Sequence, residues 1–504
     1  MSNDSVNAPG FGSRGWVASE TLLAHPIKFA ALLAIIAVYY LFLLSNGSFS
    51  LIVPEMLGRV FNSMLLHLLR GQFYVDPKVI DFEGIIHDGK TYAYFGVFPA
   101  LLRLLAMPFI DVAQADLARL SCLTAVTIYV ALQLRMLLTV HNGLPTRSRT
   151  GGLLAVMITA TVLSGPQLYI LASASIYHEP ILWAAVMAAA YNLVVIQAVT
   201  LRGGSLDNRD LGTLAVLAGL ALLTRVSIGA ALYFGTILLV AWTAWHRHGK
   251  PAELMATVAA AIRDWCLWPS VLILGLFAAV VGGINVARWG NPLTFADVHH
   301  YLLYLRHPKY LEVQSKFGEF NLGRIWIGAL YYATGIPYLL KSVSPFGEFL
   351  ATRVVGIEAP PLTPLLTNPL TVLLVGIGIY RLWWRPELPA EALTPLRLTL
   401  IGHAVAVFLI LSYIWFTLRY RFDFAPFMTL GALVGYRCVS ATAAEASETW
   451  RKRMVVAATG LCALGVLGSH YLLLVHKVWS IAVPMQVRLA LFPFAPFAHG
   501  AFEP

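Results

Sequence analysis

The chain has 504 residues, of which 58% are hydrophobic and 12% are charged, and its mean hydropathy is +0.72. Soluble globular domains carry roughly a quarter charged residues, so the composition excludes a water-soluble enzyme, and its apolar and aromatic content excludes a disordered or fibrous chain. The formal net charge of +10 is typical of a membrane protein whose inner loops are rich in Lys and Arg. We therefore expect membrane lipids as partners and no nucleic acid.

Eleven segments are apolar enough to be predicted as transmembrane helices, since a span needs about 20 apolar residues. In chain order they are residues 29–45, 117–138, 152–168, 181–199, 211–223, 230–245, 267–286, 365–380, 398–416, 424–439 and 455–474. The span at 211–223 is short and contains glycine, which favours close pairing with a neighbouring helix. The predicted fold class is an all-α polytopic membrane protein.

The distribution of Lys and Arg predicts the orientation of these spans. With residues 1–28 as a cytoplasmic tail, every inner loop is basic, whereas the short outer turn at 164–175 has no Lys or Arg. We therefore predict a transmembrane domain over residues 29–475 in the plasma (inner) membrane, with the N-terminus in the cytoplasm. Residues 476–504 form a predicted outer tail, and its apolar, proline-bearing part at 479–504 could lie against the membrane.

Two predicted outer loops are long: the first long loop, residues 46–116, and the second long loop, residues 288–364. Each contains an apolar stretch, at 94–110 and at 324–340. The first stretch is interrupted by Pro99, Arg103 and Pro108, and as a full span it would turn the basic downstream loops outward. We interpret both stretches as re-entrant or interfacial helices packed on protein.

The acidic residues of the first long loop are the first place to look for chemistry, because ionisable residues at membrane depth are usually functional. Glu55 follows span one by about ten residues. Glu55 and Arg59 are four residues apart, so on a helix they would share a face and could pair. A catalytic or substrate-binding role and a salt bridge at the lipid–water boundary both fit this pattern.

A second acidic group lies in VDPKVIDFEGIIHDGKTYAYFGVFP, where Asp88-Gly89 predicts a turn. Glu83 and Asp88, with Asp81, would then stand near Tyr92 and Tyr94. Carboxylates accept hydrogen bonds from sugar hydroxyls, and aromatic rings pack on sugar faces, so the combination suits a sugar site. The alternative is a plain β-hairpin with solvated charges.

The third candidate is the start of span four, where Tyr177, His178 and Glu179 precede Pro180. A carboxylate and a proline are both favourable in the first turn of a helix, so capping alone accounts for Glu179. It does not account for three polar residues in a row between apolar stretches.

Three arginines in the predicted outer turns break the positive-inside pattern: Arg225, Arg419 and Arg421. Their planar guanidinium groups suit the phosphate of a bound lipid. Pairing with Asp423, or snorkelling to lipid headgroups, would account for them equally.

Metal and nucleotide chemistry have no motif in this sequence. His178, His299 and His300 do not form H-x-x-x-H or H-E-x-x-H spacing, and no P-loop is encoded, so we predict no metal ligands. The sequence leaves open whether a divalent cation assists.

The order of these features resembles the GT-C superfamily of integral-membrane glycosyltransferases, which includes protein O-mannosyltransferases, aminoarabinose transferases and mycobacterial arabinosyltransferases. The resemblance is strongest over residues 29–225: an early acidic residue, then YFGVFPALLRLLAMPF, DLARL at span two, and IYHEP at span four. It implies a polyprenyl-phosphate sugar donor and a catalytic carboxylate near span one. Glu55 matches that position best, but the paired acidic residues frequent in the family are absent there, so the base stays open between Glu55, Glu83 and Asp88.

The sequence thus predicts a membrane glycosyltransferase that moves a sugar to an acceptor glycan, lipid or protein on the outer face, with inversion. Arg225, Arg419 and Arg421 would bind the donor phosphate. Arg59, Tyr92, Tyr94, Tyr177, His178, Glu179 and Asp423 would line the substrate site. The alternatives are a lipid-linked polysaccharide ligase or polymerase, and a transporter or flippase. The catalytic prediction requires carboxylates and guanidinium groups far apart in the chain to meet in one cavity.

Overall fold

The computed structural model describes residues 25–248, 260, 263–359, 362–386 and 388–480. Within this part of the chain, nine helices are long and apolar enough to cross a membrane, and the β-structure amounts to two two-stranded sheets. The predicted fold class, an all-α polytopic membrane protein, is confirmed.

The helices follow the apolar runs of the sequence. The long helices are α1 Pro26–Leu44, α5 Ala118–Asn142, α6 Gly151–Leu163, α8 His178–Arg202, α9 Asn208–Leu222, α10 Val226–His248, α11 Trp268–Trp289, α18 Pro369–Trp383, α19 Ala390–Ser412, α20 Arg421–Glu445 and α21 Glu448–Ser480. The short helices are α2 Val60–Leu68, α3 Pro77–Ile80, α4 Phe98–Leu101, α7 Pro166–Ile170, α12 Leu302–Arg306, α13 Pro308–Phe317, α14 Ile325–Thr334, α15 Ile336–Leu339, α16 Phe346–Ala351 and α17 Pro364–Thr367. The strands are β1 Ile85–His87, β2 Lys90–Tyr92, β3 Gly356–Ile357 and β4 Trp415–Phe416.

Each of the eleven predicted spans overlaps one of the long helices, but α6 has only 13 residues, and α9 and α18 have only 15 each. The predicted span at 152–168 is interrupted, because α6 ends at Leu163 and α7 begins at Pro166. Gly165 between them has a φ of 107°, a conformation that favours glycine, and Pro166 has no backbone N–H to continue the ladder.

Small residues bring the long helices together, as is usual in membrane bundles. A Cβ on Gly378 of α18 would lie 2.1 Å from the carbonyl oxygen of Gly431 in α20. Likewise, a Cβ on Gly219 of the short helix α9 would lie 2.2 Å from the ring of Phe277 in α11. The glycine of this short span therefore serves close helix pairing, as the sequence indicates.

The two apolar stretches of the long loops form broken helices rather than single ones. The stretch at 94–110 contains only α4 and a 3₁₀ turn, Leu102–Leu105, with Leu105 74% and Phe109 85% exposed. The stretch at 324–340 contains α14 and α15, separated by Gly335. These exposed apolar side chains suit a position at the membrane interface.

The chain termini test the predicted tails only in part. Helix α1 begins at Pro26, inside the predicted tail 1–28, and α21 continues to Ser480, beyond the predicted boundary at 475. The rest of both tails, and nearly all of the stretch at 479–504, lies outside the described residues.

Candidate functional site

One cavity of about 450 Å³, here called the central cavity, lies where five connecting segments meet at the same end of the bundle. Its wall includes Glu83 of the first long loop, Tyr177 before α8, Arg225 between α9 and α10, Glu319 of the second long loop, and Arg419 before α20. Carboxylates and arginines distant in sequence thus share one wall. The volume falls within the range of small-ligand sites.

Glu83 lies at the centre of a cluster of three tyrosines. The hydroxyl of Tyr177 donates to Glu83 Oε1 at 2.5 Å, and the hydroxyls of Tyr94 and Tyr301 donate to Oε2 at 3.0 and 2.5 Å. Burial and then the charge of Glu83 raise the pKa of all three phenols, so they remain donors at neutral pH. A carboxylate offers about four acceptor positions, so Glu83 keeps about one for a ligand hydroxyl.

Arg419 presents a guanidinium that forms no direct ion pair among the described residues, although the charge of Glu358 acts on it from a longer distance. It lies 4.3 Å from the ring centroid of Tyr177 and 5.4 Å from that of Tyr420. Among the described residues, no carboxylate comes within ion-pair distance of Arg419. This side chain is therefore available to an anionic ligand in the central cavity.

Arg225 also lines the central cavity, but it has a partner. Its Nε and Nη2 donate to the two carboxylate oxygens of Asp423 at 2.8 and 2.7 Å, and the hydroxyl of Ser227 donates to Asp423 at 2.5 Å. The pairing with Asp423 proposed from sequence as an alternative is the observed one. Asp423 is buried, so it orients Arg225 rather than contacting a ligand itself.

The prediction that Arg421 shares a site with the other two arginines is wrong. Its Nη1 donates to the carbonyl oxygen of Leu362 at 2.9 Å and its Nη2 to the hydroxyl of Thr367, and it lines a separate cavity of about 110 Å³. Arg421 begins α20, and successive helical residues turn by about 100°. It is two positions after Arg419, with only Tyr420 between them, so the two side chains leave the chain on different sides.

Glu319 is a site residue that the sequence analysis did not single out. It lies between α13 and the 3₁₀ turn Leu322–Arg324, on the wall of the central cavity. No described residue makes a hydrogen bond to its carboxyl group. Burial raises its pKa, and the charge of Arg324 only partly opposes this. The one available signal was that the second long loop is long and mixes apolar with polar residues.

Glu55, one of the three predicted candidates for the base, lies outside the central cavity. Its Oε1 accepts from Arg119 Nε at 2.6 Å, and the predicted helical pair with Arg59 is absent among the described contacts, because Leu57 has a φ of 55° and α2 begins only at Val60. Glu55 and Arg59 line a separate groove. Burial raises the pKa of Glu55, and Arg119 opposes that rise.

The hairpin around Asp88-Gly89 forms as predicted, with Ile85 opposite Tyr92. Asp88 sits in the turn with its side chain 88% exposed, and Tyr92 packs against Trp289 at a centroid distance of 5.5 Å. Neither lines the central cavity. The alternative of a plain hairpin with solvated charge is therefore correct for Asp88, whereas Glu83, just before the hairpin, is buried at the site.

Of the three polar residues at span four, only Tyr177 reaches the central cavity. Glu179 is fully buried, and its carboxylate accepts from Nη1 and Nη2 of Arg103 and, at 2.6 Å, from the hydroxyl of Ser121. His178 Nδ1 lies 2.7 Å from the carbonyl oxygen of Ser173. The predicted substrate-binding roles of His178 and Glu179 are not supported, since both side chains bond inside the protein.

Glu358 of the second long loop supports the turn that carries Arg419. Its carboxylate accepts from the amide of Leu418 at 2.6 Å and from the hydroxyl of Tyr169 at 2.8 Å, and it lies 3.3 Å from His476. Burial alone would raise the pKa of Glu358. His476, Arg419 and the Leu418 amide together outweigh burial and lower this pKa to about 2.

Aromatic side chains complete the wall of the central cavity. Trp415 donates its indole N–H to the hydroxyl of Tyr304 at 3.2 Å, and Tyr413 and Tyr420 stand with ring centroids 5.6 Å apart. All four lie on the cavity wall. The cavity therefore combines ring faces, carboxylate acceptors and guanidinium groups.

No family model matches the chain, and no curated protein matches it. Among solved structures, the chain is similar to the Archaeoglobus fulgidus oligosaccharyltransferase in its apo form, with 13% identity over 89% of this chain and 55% of that chain, at a TM-score of 0.46. It is also similar to that enzyme in complex with an inhibitory peptide and a dolichol-phosphate (13% identity, 90% and 55% covered, TM-score 0.45). A third similar structure is tethered to an acceptor peptide containing the NVT sequon (12% identity, 94% and 57% covered, TM-score 0.45). The chain spans about half the length of these structures.

Proposed function

We propose that this protein is a membrane glycosyltransferase that moves a sugar from a polyprenyl-phosphate donor to a hydroxyl of an acceptor glycan, lipid or protein, at the outer rim of the membrane. The observation that carries the proposal is the shared wall of the central cavity, where Arg419 stands without an ion pair among the described residues and Glu83 and Glu319 supply two carboxylates. This is the activity that the resemblance to the GT-C superfamily implies.

The donor phosphate belongs at Arg419 in this proposal. A guanidinium stacked on Tyr177 and Tyr420 is held in place, and no carboxylate in the described part of the chain forms an ion pair with it. Its fork matches a phosphate. Arg225 lies on the same wall but shares its charge with Asp423. Arg419 therefore stabilises the negative charge that develops on the phosphate as the sugar leaves.

Glu319 is the proposed general base. A base works best when its pKa lies near the working pH, and burial moves the pKa of Glu319 upward from its ordinary value. Glu83 is a weaker candidate because three phenols already stabilise its charge. Its remaining acceptor position suits a sugar hydroxyl, so Glu83 positions the substrate.

The reaction then proceeds in one displacement. The acceptor hydroxyl gives its proton to Glu319, its oxygen forms the bond to the anomeric carbon, and the bond from that carbon to the phosphate oxygen breaks. Polyprenyl phosphate leaves with the electron pair, next to Arg419. Attack opposite the leaving group inverts the anomeric centre. The phosphate needs no general acid.

A lipid-linked polysaccharide ligase or polymerase is the second candidate. The specific observation in its favour is that the second long loop supplies Tyr301, Tyr304 and Glu319 to the cavity wall, as expected of an enzyme that depends on a large later loop. Its chemistry at Glu319 and Arg419 would be the same. Only the donor would differ, with a glycan in place of a single sugar and a lipid diphosphate in place of the lipid phosphate as leaving group.

The test uses the full chain in lipid nanodiscs with a panel of polyprenyl-phosphate sugars and polyprenyl-diphosphate glycans. With a monophosphate donor, we expect the sugar to be transferred to the acceptor. Nuclear magnetic resonance of the product should show that the anomeric configuration of the transferred sugar is opposite to that in the donor. Transfer from glycan donors alone would favour the ligase. Counterflow of lipid-linked sugar in proteoliposomes without any product would favour the transporter and contradict the proposal.

A further inference from the structure

A cluster of two imidazoles and one carboxylate lies at the tip of the hairpin, outside the central cavity. His87 ends β1, His300 ends the 3₁₀ turn Val298–His300 of the second long loop, and Asp297 is the N-cap of that turn. One ligand atom from each of the three side chains lies within 4.8 Å of the other two. The group therefore joins the two long loops, which are about 200 residues apart in the chain.

The backbone already holds these two loops together. Ile85 of β1 forms an antiparallel bridge with Tyr301, and the amide of Leu302 donates to the carbonyl oxygen of Gly84 at 3.0 Å. The rings of His87 and His300 have centroids 6.2 Å apart. These backbone contacts hold the three side chains close together whether or not a ligand is bound to the cluster.

The donor set indicates the class of ligand. Imidazole nitrogen with one carboxylate oxygen suits Zn²⁺ and similar transition metals, whereas Mg²⁺ and Ca²⁺ prefer oxygen ligands throughout. Asp297 Oδ2 stands 2.7 Å from His300 Nδ1. A metal ion would take the place of that hydrogen bond. Asp88, whose Oδ2 lies 3.5 Å from His87 Nε2, places a further carboxylate beside the cluster.

We propose that His87, Asp297 and His300 form a Zn²⁺ site that clamps the hairpin of the first long loop to the second long loop. The clamp lies beside the site described above, because His87 is four residues from Glu83 and His300 precedes Tyr301, which donates to Glu83. Metal binding there stabilises the rim that holds Glu83 and its tyrosines. The proposal of this Zn²⁺ site does not depend on the proposed glycosyltransferase activity.

The adjacent His299 provides a matched control, since it is exposed and is not a member of the group. Full-length protein purified with a tag that lacks histidine, and freed of metal with a chelator, is titrated with Zn²⁺ by calorimetry. We expect one ion per chain. His87→Gln and His300→Gln each weaken binding at least about tenfold, whereas His299→Gln leaves it unchanged. Equal losses in all three variants, or unchanged binding in His87→Gln and His300→Gln, would overturn the proposal.

A second measurement needs no variant. Wild-type protein is treated with diethyl pyrocarbonate with and without Zn²⁺, and the modified histidines are identified by mass spectrometry. Zn²⁺ should protect His87 and His300 but not His299. Equal protection of the three histidines, or none, would contradict the site.

Discussion

The guanidinium of Arg419 lies 4.3 Å from the ring centroid of Tyr177, and the hydroxyl of the same tyrosine donates to Glu83. Tyr177 thus places a cation over its ring and a carboxylate at its hydroxyl. In the proposed reaction it sets the spacing between the donor phosphate and the sugar hydroxyl, and its two functions can be separated by mutation.

Tyr177→Phe keeps the ring beneath Arg419 and removes only the bond to Glu83. A hydrogen bond to a charged group contributes about 1.5–3 kcal/mol, so we expect kcat to fall roughly tenfold or more with little change in the KM for donor. Tyr177→Leu also removes the cation–π contact and should raise the KM for donor. Steady-state kinetics with both variants checks this. Identical kinetics for the two variants would show that the ring does not orient Arg419.

The pH dependence of transfer follows from the raised pKa of Glu319. A general base is active once it has lost its proton, so activity rises with pH, and the midpoint of that rise lies above 4.5, the ordinary value. Glu319→Asp should keep an acidic limb at reduced rate, whereas Glu319→Gln should lose most of the activity. An unchanged rate and pH profile in Glu319→Gln would assign the base elsewhere.

Glu358 should make the fold sensitive to acid. Its folded pKa of about 2 lies below the ordinary 4.5, so its contribution to stability is complete above about pH 4.5 and is lost as the pH falls toward 2. The pKa difference corresponds to about 3 kcal/mol of unfolding free energy. We expect Glu358→Gln to lower the thermal midpoint at pH 7 far more than at pH 3. The exposed Glu448, paired with Lys452, supplies the control: Glu448→Gln should change neither midpoint.

The Arg103–Glu179 pair should support stability rather than chemistry. Both side chains are buried, and removal of one partner from a buried ion pair costs about 3–5 kcal/mol. Glu179→Ala is therefore expected to unfold at much lower temperature. The double variant Arg103→Met with Glu179→Met should recover most of the loss, because no buried charge is left unpaired. A Glu179→Ala protein that is folded and stable but impaired in sugar transfer would instead support the substrate-binding role predicted from the sequence.

The positions of the spans were predictable because long apolar runs are local signals in the sequence. Counting the spans then predicted which loops lie at the same end of the helix bundle. That placed Glu83 and Arg419 on the same side. The choice among Glu55, Glu83 and Asp88 was not predictable, because it depends on backbone conformation. Leu57 and Asp88 both have positive φ, which ends the assumed Glu55–Arg59 helix and turns Asp88 to the surface.

Glu319 and the His87 cluster show the other limit of sequence reasoning. Each depends on how the second long loop folds back on the first, through contacts such as the bridge between Ile85 and Tyr301. No short spacing in the sequence encodes these contacts. The same holds for Arg421. Its position two residues after Arg419 suggested a shared site, but α20 begins at Arg421 and directs its side chain away from that of Arg419.

The central claim is that Glu319 and Arg419 act on one substrate in one cavity. The most direct test compares single-turnover transfer rates of Glu319→Gln and Arg419→Gln with those of Glu55→Gln and Asp88→Asn, all at saturating acceptor and equal folded protein. We predict losses of about 10²–10⁴-fold for Glu319→Gln, a large loss for Arg419→Gln that a higher donor concentration partly restores, and wild-type rates for the other two. Full activity in Glu319→Gln and Arg419→Gln, or a loss confined to Glu55→Gln, would contradict the account.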